Sequence, residues 1–225
     1  MLIFPEHSLT YLATPKTGTT AVHLSLQGHA DMVFKGPRKH MTARRYRKHV
    51  EPFLRKAYGV MPETVAVMRN PVEQLRSWYK YRSREKIAGS GRSTTGMSFD
   101  DYVQAVVAPN PPEHAQVGSQ FKFLTDHKGK VLVTHLFDYD NQTGLVAFLS
   151  GKLGCDVRLG RHNVSPDIDA PLSVETEMLL RARREKEFAL YDALKSANGY
   201  LRADVPDAPP HDAPARAARS EPSSP

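Results

Sequence analysis

The sequence predicts an α/β fold in which a central, mostly parallel β-sheet is flanked by helices. The first indication is the order of the elements, since short runs of strand-forming residues alternate with stretches of helical spacing. The second is residues 64–68 (TVAVM), an almost wholly apolar run of the kind found in strands buried on both faces of a parallel sheet. The length of 225 residues suits one domain with at most a short appendage.

In the first half of the chain, strand formers are dense at 9–13 (LTYLA), and residues 42–58 combine helical spacing with a strongly basic face. Arg69, Asn70 and Pro71 end the 64–68 run, and Pro71 suits the first turn of a helix, where its missing N–H has no partner to lose. The predicted elements are, in chain order, a strand at 9–13, a helix at 21–27, a strand at 32–34, a helix at 42–58, a strand at 64–68 and a helix from Pro71 to about residue 84.

The second half opens with a loop rich in glycine, serine and threonine at 88–96, a candidate lid or acceptor loop. Ser173 can cap a long final helix with glutamates in its first turn, where negative charge suits the helix dipole. The other predicted elements are a short helix starting at Ser98, a strand at 131–134 and a helix at 144–153. Six of the 17 prolines lie in 202–225. We therefore expect a folded domain at 1–201 and a disordered tail at 202–225.

The composition excludes several classes of protein. A hydrophobic fraction of 40% and a charged fraction of 24% are ordinary for a globular domain and exclude collagen-like and membrane-bundle chains. Cys155 is the only cysteine, so no intramolecular disulfide can form, which favours a reducing compartment. Residues 1–8 lack the pattern of a signal peptide, and no apolar run reaches about 18 residues. We therefore expect a cytoplasmic protein without a membrane span.

The positive charge is concentrated in one quarter of the chain. The formal net charge is +7, but residues 35–92 contain 16 basic and 4 acidic residues, a local +12. Such a block predicts an anionic partner, although a solvated basic helix face is the plainer alternative. Nucleic acid is not expected, because the block contains no known nucleic-acid-binding motif and no interleaved exposed aromatic residues.

A candidate anion-binding loop follows the first predicted strand and precedes a helix. Backbone N–H groups at such a helix N-terminus are free to bind an anion, and the helix dipole adds positive potential. The loop consists of Pro15, Lys16, Thr17, Gly18, Thr19 and Thr20, which supply a cation, a glycine and hydroxyl groups. It is not a Walker A loop, because Lys16 precedes the single Gly18 and no aspartate ends the 64–68 strand to hold magnesium. A sulfuryl group carries less charge than a phosphoryl group, so its transfer can proceed without a metal.

A second candidate anion site lies at the end of the 64–68 strand. Arg69 is placed where the carboxyl end of a parallel strand opens into the crevice in which ligands of α/β sheets bind. Ser77, two helical turns further on, can face the same crevice. An arginine fork and a hydroxyl together suit a phosphate group.

These two motifs resemble those of the sulfotransferases that use 3′-phosphoadenosine 5′-phosphosulfate (PAPS). The loop is similar to their phosphosulfate-binding Pro-Lys-x-Gly-Thr-Thr loop, and the Arg69–Ser77 spacing is similar to their 3′-phosphate motif, with Asn70 in place of the commoner aspartate. Weaker similarity to the carbohydrate-type branch extends over 120–153 and 163–191, whereas the Arg-Lys-Gly-x-x-Gly segment of the steroid- and phenol-type branch is absent. The resemblance implies a three-layer, P-loop-like sulfotransferase domain at 1–201, with PAPS as co-substrate and no metal.

The resemblance also implies roles for individual residues. Lys16 would donate to the bridging oxygen and to the transferred group, and His40, in the Lys-His-Met-Thr segment at 39–42, would be the general base for the acceptor hydroxyl. His23 and, more remotely, Glu73 are alternative bases. The acceptor is expected to be a carbohydrate. The basic residues around His40 (Arg38, Lys39, Arg44, Arg45 and Arg47) either select an acidic acceptor, line the nucleotide cleft or face solvent.

Three other functions compete with sulfuryl transfer. They are a P-loop-type small-molecule kinase, a basic nucleic-acid- or nucleotide-binding protein without catalytic activity, and a sulfotransferase fold that has lost its activity. The missing Gly-Lys-Ser/Thr sequence disfavours the kinase.

Overall fold

The computed structural model describes residues 1–160 and 168–205. Its strands are β1 (Leu2–Phe4), β2 (Leu9–Leu12), β3 (Met32–Val33), β4 (Glu63–Met68), β5 (His135–Asp138) and β6 (Tyr200–Arg202). Its α-helices are α1 (Thr19–Leu26), α2 (Ala43–His49), α3 (Glu51–Tyr58), α4 (Pro71–Arg82), α5 (Phe99–Val107), α6 (Gln120–Leu124), α7 (Gln142–Leu153), α8 (Val174–Arg183) and α9 (Glu185–Ser196). Residues 206–225 of the predicted tail and residues 163–167 of the family resemblance lie outside the described residues.

The strands form one mixed sheet in the order β3-β1-β2-β4-β5-β6. The pairs β2–β4 and β4–β5 are parallel, whereas β1 pairs antiparallel with β2 and β3, and β5 pairs antiparallel with β6. The predicted α/β class, with a sheet flanked by helices, is confirmed. The prediction of a mostly parallel sheet is wrong, because three of the five strand pairs, β3–β1, β1–β2 and β5–β6, are antiparallel.

The two strands that sequence analysis missed, β1 and β6, are each only three residues long. β1 returns directly into β2 through a tight turn, in which Ser8 has a φ of 47°. β6 follows α9 and begins just after Gly199, which has a φ of 75°. Runs this short carry little periodic signal, so their pairing depends on the neighbouring strand rather than on local sequence.

Both faces of the sheet are covered by apolar helix surfaces. Because successive side chains of a strand point to opposite faces, Val65 and Val67 join the core beneath α1 and α7, whereas Ala66 and Met68 join the core beneath α2, α3, α6 and α9. The prediction that 64–68 is buried on both faces is therefore confirmed. A third cluster packs α4, α5, α8 and α9 together.

Two predicted helices are each divided in two. The 42–58 segment breaks at Val50 between α2 and α3, because Pro52 has no N–H to continue the helical hydrogen bonds. The final helix breaks at Arg184, which leaves helical geometry with φ −122° and ψ 32°. Its predicted start is confirmed, since the Ser173 side chain accepts a hydrogen bond from the backbone N–H of Thr176.

The strand predicted at 131–134 lies slightly further along the chain. Val131 forms an isolated bridge with Thr125, whereas the ladder itself contains His135–Asp138. Leu132 and Val133 are buried in the core without entering that ladder, so their apolar character reflects packing rather than strand pairing. Within residues 1–160 and 168–205, none of the helices combines the length and apolar character that crossing a bilayer requires.

Helix α4 carries one wall of the candidate site, and Asn70 holds its first turn. The Asn70 side-chain oxygen accepts hydrogen bonds from the backbone N–H groups of Val72, at 2.9 Å, and Glu73, at 3.3 Å. An aspartate can make the same cap, which explains why asparagine and aspartate are interchangeable at this position in physical terms.

We predict that Asn70→Ala lowers the free energy of unfolding by about 0.5–2 kcal/mol, the ordinary cost of losing an N-cap. Asn70→Asp should retain the stability of the parent chain. Urea unfolding of the three proteins checks this. Equal losses in both variants would show that Asn70 contributes something other than the cap.

Candidate functional site

A cleft of about 1680 Å³ opens at the carboxyl ends of the parallel strands. It brings together eight of the nine site residues predicted from sequence, namely Pro15, Lys16, Gly18, Thr19, Thr20, His40, Arg69 and Ser77. The ninth, Thr17, is buried beneath the loop, and its hydroxyl donates to the Thr14 carbonyl at 2.9 Å. Thr17 therefore holds the loop together and does not line the cleft.

The loop before α1 has the backbone geometry of an anion site. Lys16 and Gly18 both adopt left-handed conformations, with φ of 67° and 71°. A Cβ atom on Gly18 would lie 3.3 Å from the Tyr139 ring, so glycine satisfies both the conformation and the close approach. The Pro15 carbonyl accepts a hydrogen bond from the Gln74 side chain at 3.2 Å, which ties the loop to α4.

Lys16 lies against two aromatic rings of α4. Its Nζ atom is 4.6 Å from the centroid of the Trp78 ring and 3.6 Å from that of Tyr81, and no carboxylate pairs with it within the described residues. Burial, together with the positive charges of Arg84, Arg82 and Arg69, lowers the pKa of Lys16 to about 7. The cleft therefore holds a cation that lacks the negative charge it would need.

Arg69 extends from the end of β4 toward the same loop. Its guanidinium donates to the Lys16 carbonyl at 3.5 Å, approaches Glu73 at 3.9 Å and stacks on the Tyr139 ring, 4.5 Å from the centroid. The amide of Gln120 binds the Arg69 backbone twice, accepting from its N–H at 2.9 Å and donating to its carbonyl at 2.8 Å. Sequence analysis missed Gln120, whose contribution depends on a contact across 51 positions.

His40 ends a 3₁₀ helix (Gly36–His40) beside the loop. Its Nδ1 atom lies 2.7 Å from the Ala13 carbonyl oxygen. Since a carbonyl only accepts, Nδ1 carries the proton of this bond and Nε2 of the neutral ring keeps a lone pair. Burial chiefly lowers the pKa of His40, and the positive charges of Lys39, the terminal amine and Lys16 lower it further, so the neutral form is favoured.

The alternative bases lie elsewhere. His23 is buried, with Nε2 2.9 Å from the Met1 amino nitrogen, and burial chiefly lowers its pKa to about 3. Glu73 pairs with Arg76 and approaches Arg69. Neither residue lines the cleft. The candidate acceptor loop at 88–96 does not line it either, and Thr94 anchors that loop by donating to the Tyr79 carbonyl at 2.9 Å.

Several other cleft residues were not singled out from sequence. Lys80 and Tyr81 follow Ser77 at spacings of three and four, so the helical period alone could have identified them. Arg84 lies beyond the end of α4. Tyr139 follows β5, and it lines the cleft because β5 pairs with β4. The lining also includes Lys39, Arg158 and several uncharged residues of α7 and of the segment after it.

The described lining carries charge of one sign. It includes six lysine or arginine side chains and no aspartate or glutamate. No cluster of three or more histidine, cysteine, aspartate or glutamate side chains that could hold a metal ion is found within residues 1–160 and 168–205. The arrangement suits an anionic ligand bound by backbone N–H groups and cationic side chains.

Comparison of the chain with models of protein families, with curated proteins and with solved structures finds no match in any of the three. The cleft and the two motifs that meet in it are therefore the basis for assigning a function.

We predict that Lys16→Met raises the melting temperature at pH 6–7. Because the pKa of Lys16 is about 7 in the folded protein and near its ordinary 10.4 when unfolded, folding expels a proton between these values. Lys16 therefore destabilises the fold most at low pH, and this cost disappears as the pH rises from about 7 to 10.

Thermal unfolding of both proteins from pH 6 to pH 10 checks this, and the difference should shrink toward pH 10. Lys48→Met, which removes an exposed lysine of α2, is the matched control and should give no such pH dependence. A lower melting temperature for Lys16→Met at pH 6 would contradict the prediction.

Proposed function

We propose that this protein is a sulfotransferase that moves the sulfuryl group of PAPS to a hydroxyl acceptor, with a carbohydrate as the favoured class. The observation that carries the proposal is the meeting of the two motifs. Lys16 and Arg69 are 53 positions apart in the sequence, yet the Arg69 guanidinium donates to the Lys16 carbonyl and both side chains line one cleft. The proposal includes the three-layer, P-loop-like arrangement that the motif resemblance implies.

The donor would be bound at both of its anionic ends. The phosphosulfate would accept hydrogen bonds from the N–H groups of the loop and from the hydroxyls of Thr19 and Thr20, with Lys16 beside its bridging oxygen. The 3′-phosphate would be held by the Arg69 guanidinium and the Ser77 hydroxyl. Glu73, at 3.9 Å from Arg69, pairs only weakly with it and can yield to a phosphate.

The transfer itself requires one base and one acid. Nε2 of His40 takes the proton of the acceptor hydroxyl as its oxygen attacks sulfur, and the bond from sulfur to the bridging oxygen breaks. Negative charge develops on that oxygen, which becomes part of the departing adenosine 3′,5′-bisphosphate, and Lys16 stabilises it. Because the sulfuryl group carries less charge than a phosphoryl group, Lys16 and the backbone donors take the part that a divalent cation plays in kinases.

The kinase alternative is weakened by the surroundings of the strand ends. Asp138 ends β5, where a carboxylate could in principle serve magnesium, but it is 1% exposed and does not line the cleft. Its carboxylate pairs with Lys195 at 2.9 Å and accepts from the Tyr191 hydroxyl at 3.3 Å. The contacts of the Asp138 carboxylate are therefore with α9 and not with the cleft.

Nucleic-acid binding is the second candidate, favoured by one observation on α3. Phe53 and Tyr58 are 51% and 49% exposed in the basic block, next to the exposed Arg55 and Lys56. The expectation that this block lacks exposed aromatic residues is therefore wrong. Stacking rings and cations together suit single-stranded nucleic acid, whose binding would weaken steeply with salt.

We predict that adenosine 3′,5′-bisphosphate raises the melting temperature more than ATP with magnesium does. At 100 times its Kd, a ligand stabilises the folded protein by about 2.7 kcal/mol, a shift of several degrees. Lys16→Ala and Arg69→Ala should each lose most of this shift, because each removes one anion contact.

The matched controls are Lys56→Ala and Arg55→Ala, which remove the same charges from the exposed surface of α3. They should keep the full shift. Equal or greater protection by ATP with magnesium, or full protection of both cleft variants, would refute the assignment of the two anion sites.

We also predict that His40→Ala binds adenosine 3′,5′-bisphosphate as the parent does but transfers sulfate about 10²–10⁴ times more slowly, the usual contribution of a general base. The assay uses labelled PAPS with a panel of glycans, lipids and small alcohols, in the presence of a chelator. Because the pKa of His40 is lowered, protonation of this base should reduce the rate only below pH 6.5, the ordinary value. His49→Ala, on the exposed surface of α2, is the control, and unchanged turnover in His40→Ala would eliminate this base.

A further inference from the structure

The cleft is lined differently on its two sides. Toward β5 and α7 its side chains are mostly neutral, with Tyr139, Thr143, Val146, Val157 and Leu159 among them. Arg158, the cation on this side, pairs with Asp156 at 2.6 Å. Apolar and aromatic side chains of this kind suit a nucleoside.

The opposite side is cationic. It is formed by the 3₁₀ helix after β3, which contributes Lys39 and His40, and by the last turn of α4 with the residues after it, which contribute Lys80, Tyr81 and Arg84. The strand order separates the 3₁₀ helix from Tyr139, because β3 and β5 lie on opposite sides of β2 and β4. The Lys16 loop and Arg69 lie between the two sides.

Two lysines on this side have no partner in the described structure. Within residues 1–160 and 168–205, neither the Lys39 nor the Lys80 ammonium group forms an ion pair or a hydrogen bond with a side chain. Both lysines are partly buried. Arg84 adds a third positive charge, and its guanidinium lies 5.1 Å from the centroid of the same Tyr81 ring that Lys16 contacts.

These lysines line the same cleft as the groups that would carry out the transfer. Lys39 immediately precedes His40, the proposed base, and its positive charge acts on the His40 ring. The two anionic ends of PAPS are already matched by the Lys16 loop and by Arg69 with Ser77. A neutral acceptor would desolvate Lys39 and Lys80 without pairing them, whereas an anionic acceptor would pair both.

We infer that the acceptor is an anionic molecule, and that Lys39 and Lys80 bind a carboxylate or sulfate group close to the hydroxyl that receives the sulfuryl group. This inference rests on the proposed sulfotransferase function. The shared chemistry is a fixed negative charge beside a hydroxyl, as in a uronic-acid or partly sulfated glycan. The same lysines offset the like-charge repulsion between PAPS and an anionic acceptor. Binding of the acceptor then explains the positive charge beyond the donor site.

The test measures binding of three oligosaccharides of equal length to the protein saturated with adenosine 3′,5′-bisphosphate. One contains uronic acids, the second is its carboxyl-reduced neutral counterpart, and the third is the neutral chain after sulfation. Calorimetry should show that the wild type binds the uronic or the sulfated chain, or both, about tenfold more tightly than the neutral one, as expected of two ordinary ion pairs. The two anionic arms distinguish carboxylate from sulfate recognition.

The double variant Lys39→Gln/Lys80→Gln should lose this preference while binding adenosine 3′,5′-bisphosphate within about threefold of the wild type. The backbone contact of Lys39 with the Met1 amine does not involve its side chain and is retained. The control is Lys48→Gln/Lys56→Gln, which removes two exposed positive charges from α2 and α3 and should keep the preference. The single variants are measured alongside, with melting temperatures for all.

Equal binding of the three chains, or binding of none, overturns the inference. So does a preference that survives in the double variant, or one that the control loses equally, since it would then reflect net charge. A large loss of nucleotide affinity in the double variant would assign the lysines to the donor site. Failure of the wild type to bind adenosine 3′,5′-bisphosphate at all overturns the proposed function itself, and the inference with it.

Discussion

The parallel pairing of β2, β4 and β5 places three chain segments at one edge of the sheet. Leu12 pairs with Ala66, and Met68 pairs with Asp138, so the Lys16 loop, Arg69 and Tyr139 leave neighbouring strands at nearly the same height. The ends of parallel strands at such an edge form a crevice that ligands occupy. The antiparallel β1, β3 and β6 widen the sheet, and β3 leads into the segment that carries His40. The mixed topology therefore still concentrates the site at its parallel centre.

The cations at this edge are held in place by neutral groups. The Gln120 amide binds both backbone polar groups of Arg69, and aromatic rings of Trp78, Tyr81 and Tyr139 face the Lys16 and Arg69 cations. Neutral supports position the charges without neutralising them, whereas carboxylate partners would compete with an incoming anion. Keeping these positive charges close together therefore lowers the stability of the folded protein. The pKa of Lys16 is lowered first by burial and then by the neighbouring arginines, and this second part expresses the cost.

Local motifs were predictable from the sequence, and contacts between distant segments were not. The strand-loop-helix at 9–26 and the strand-helix unit around Arg69 each lie within about twenty residues, and their glycine, proline and apolar runs reflect local conformational preferences. Gln120 and Tyr139 gave no such signal, because their roles arise from strand order and from packing across the sheet. β5 was misplaced for a related reason. Its ladder includes His135 and Asp138, residues of weak strand propensity, while the stronger strand formers just before it are used in the core.

The Ala13 carbonyl connects the two groups that the proposed chemistry requires. Ala13 lies between β2 and Lys16, so the backbone that leads into the Lys16 loop also accepts the hydrogen bond from His40 Nδ1 at 2.7 Å. That bond leaves the Nε2 lone pair available as the acceptor of a proton, and it fixes the ring relative to the loop. A donor that draws the loop toward its anions would carry the His40 contact with it. The proposed base is therefore bonded to the short backbone segment that leads into the Lys16 loop, whereas the Trp78 and Tyr81 rings of α4 contact the Lys16 ammonium group.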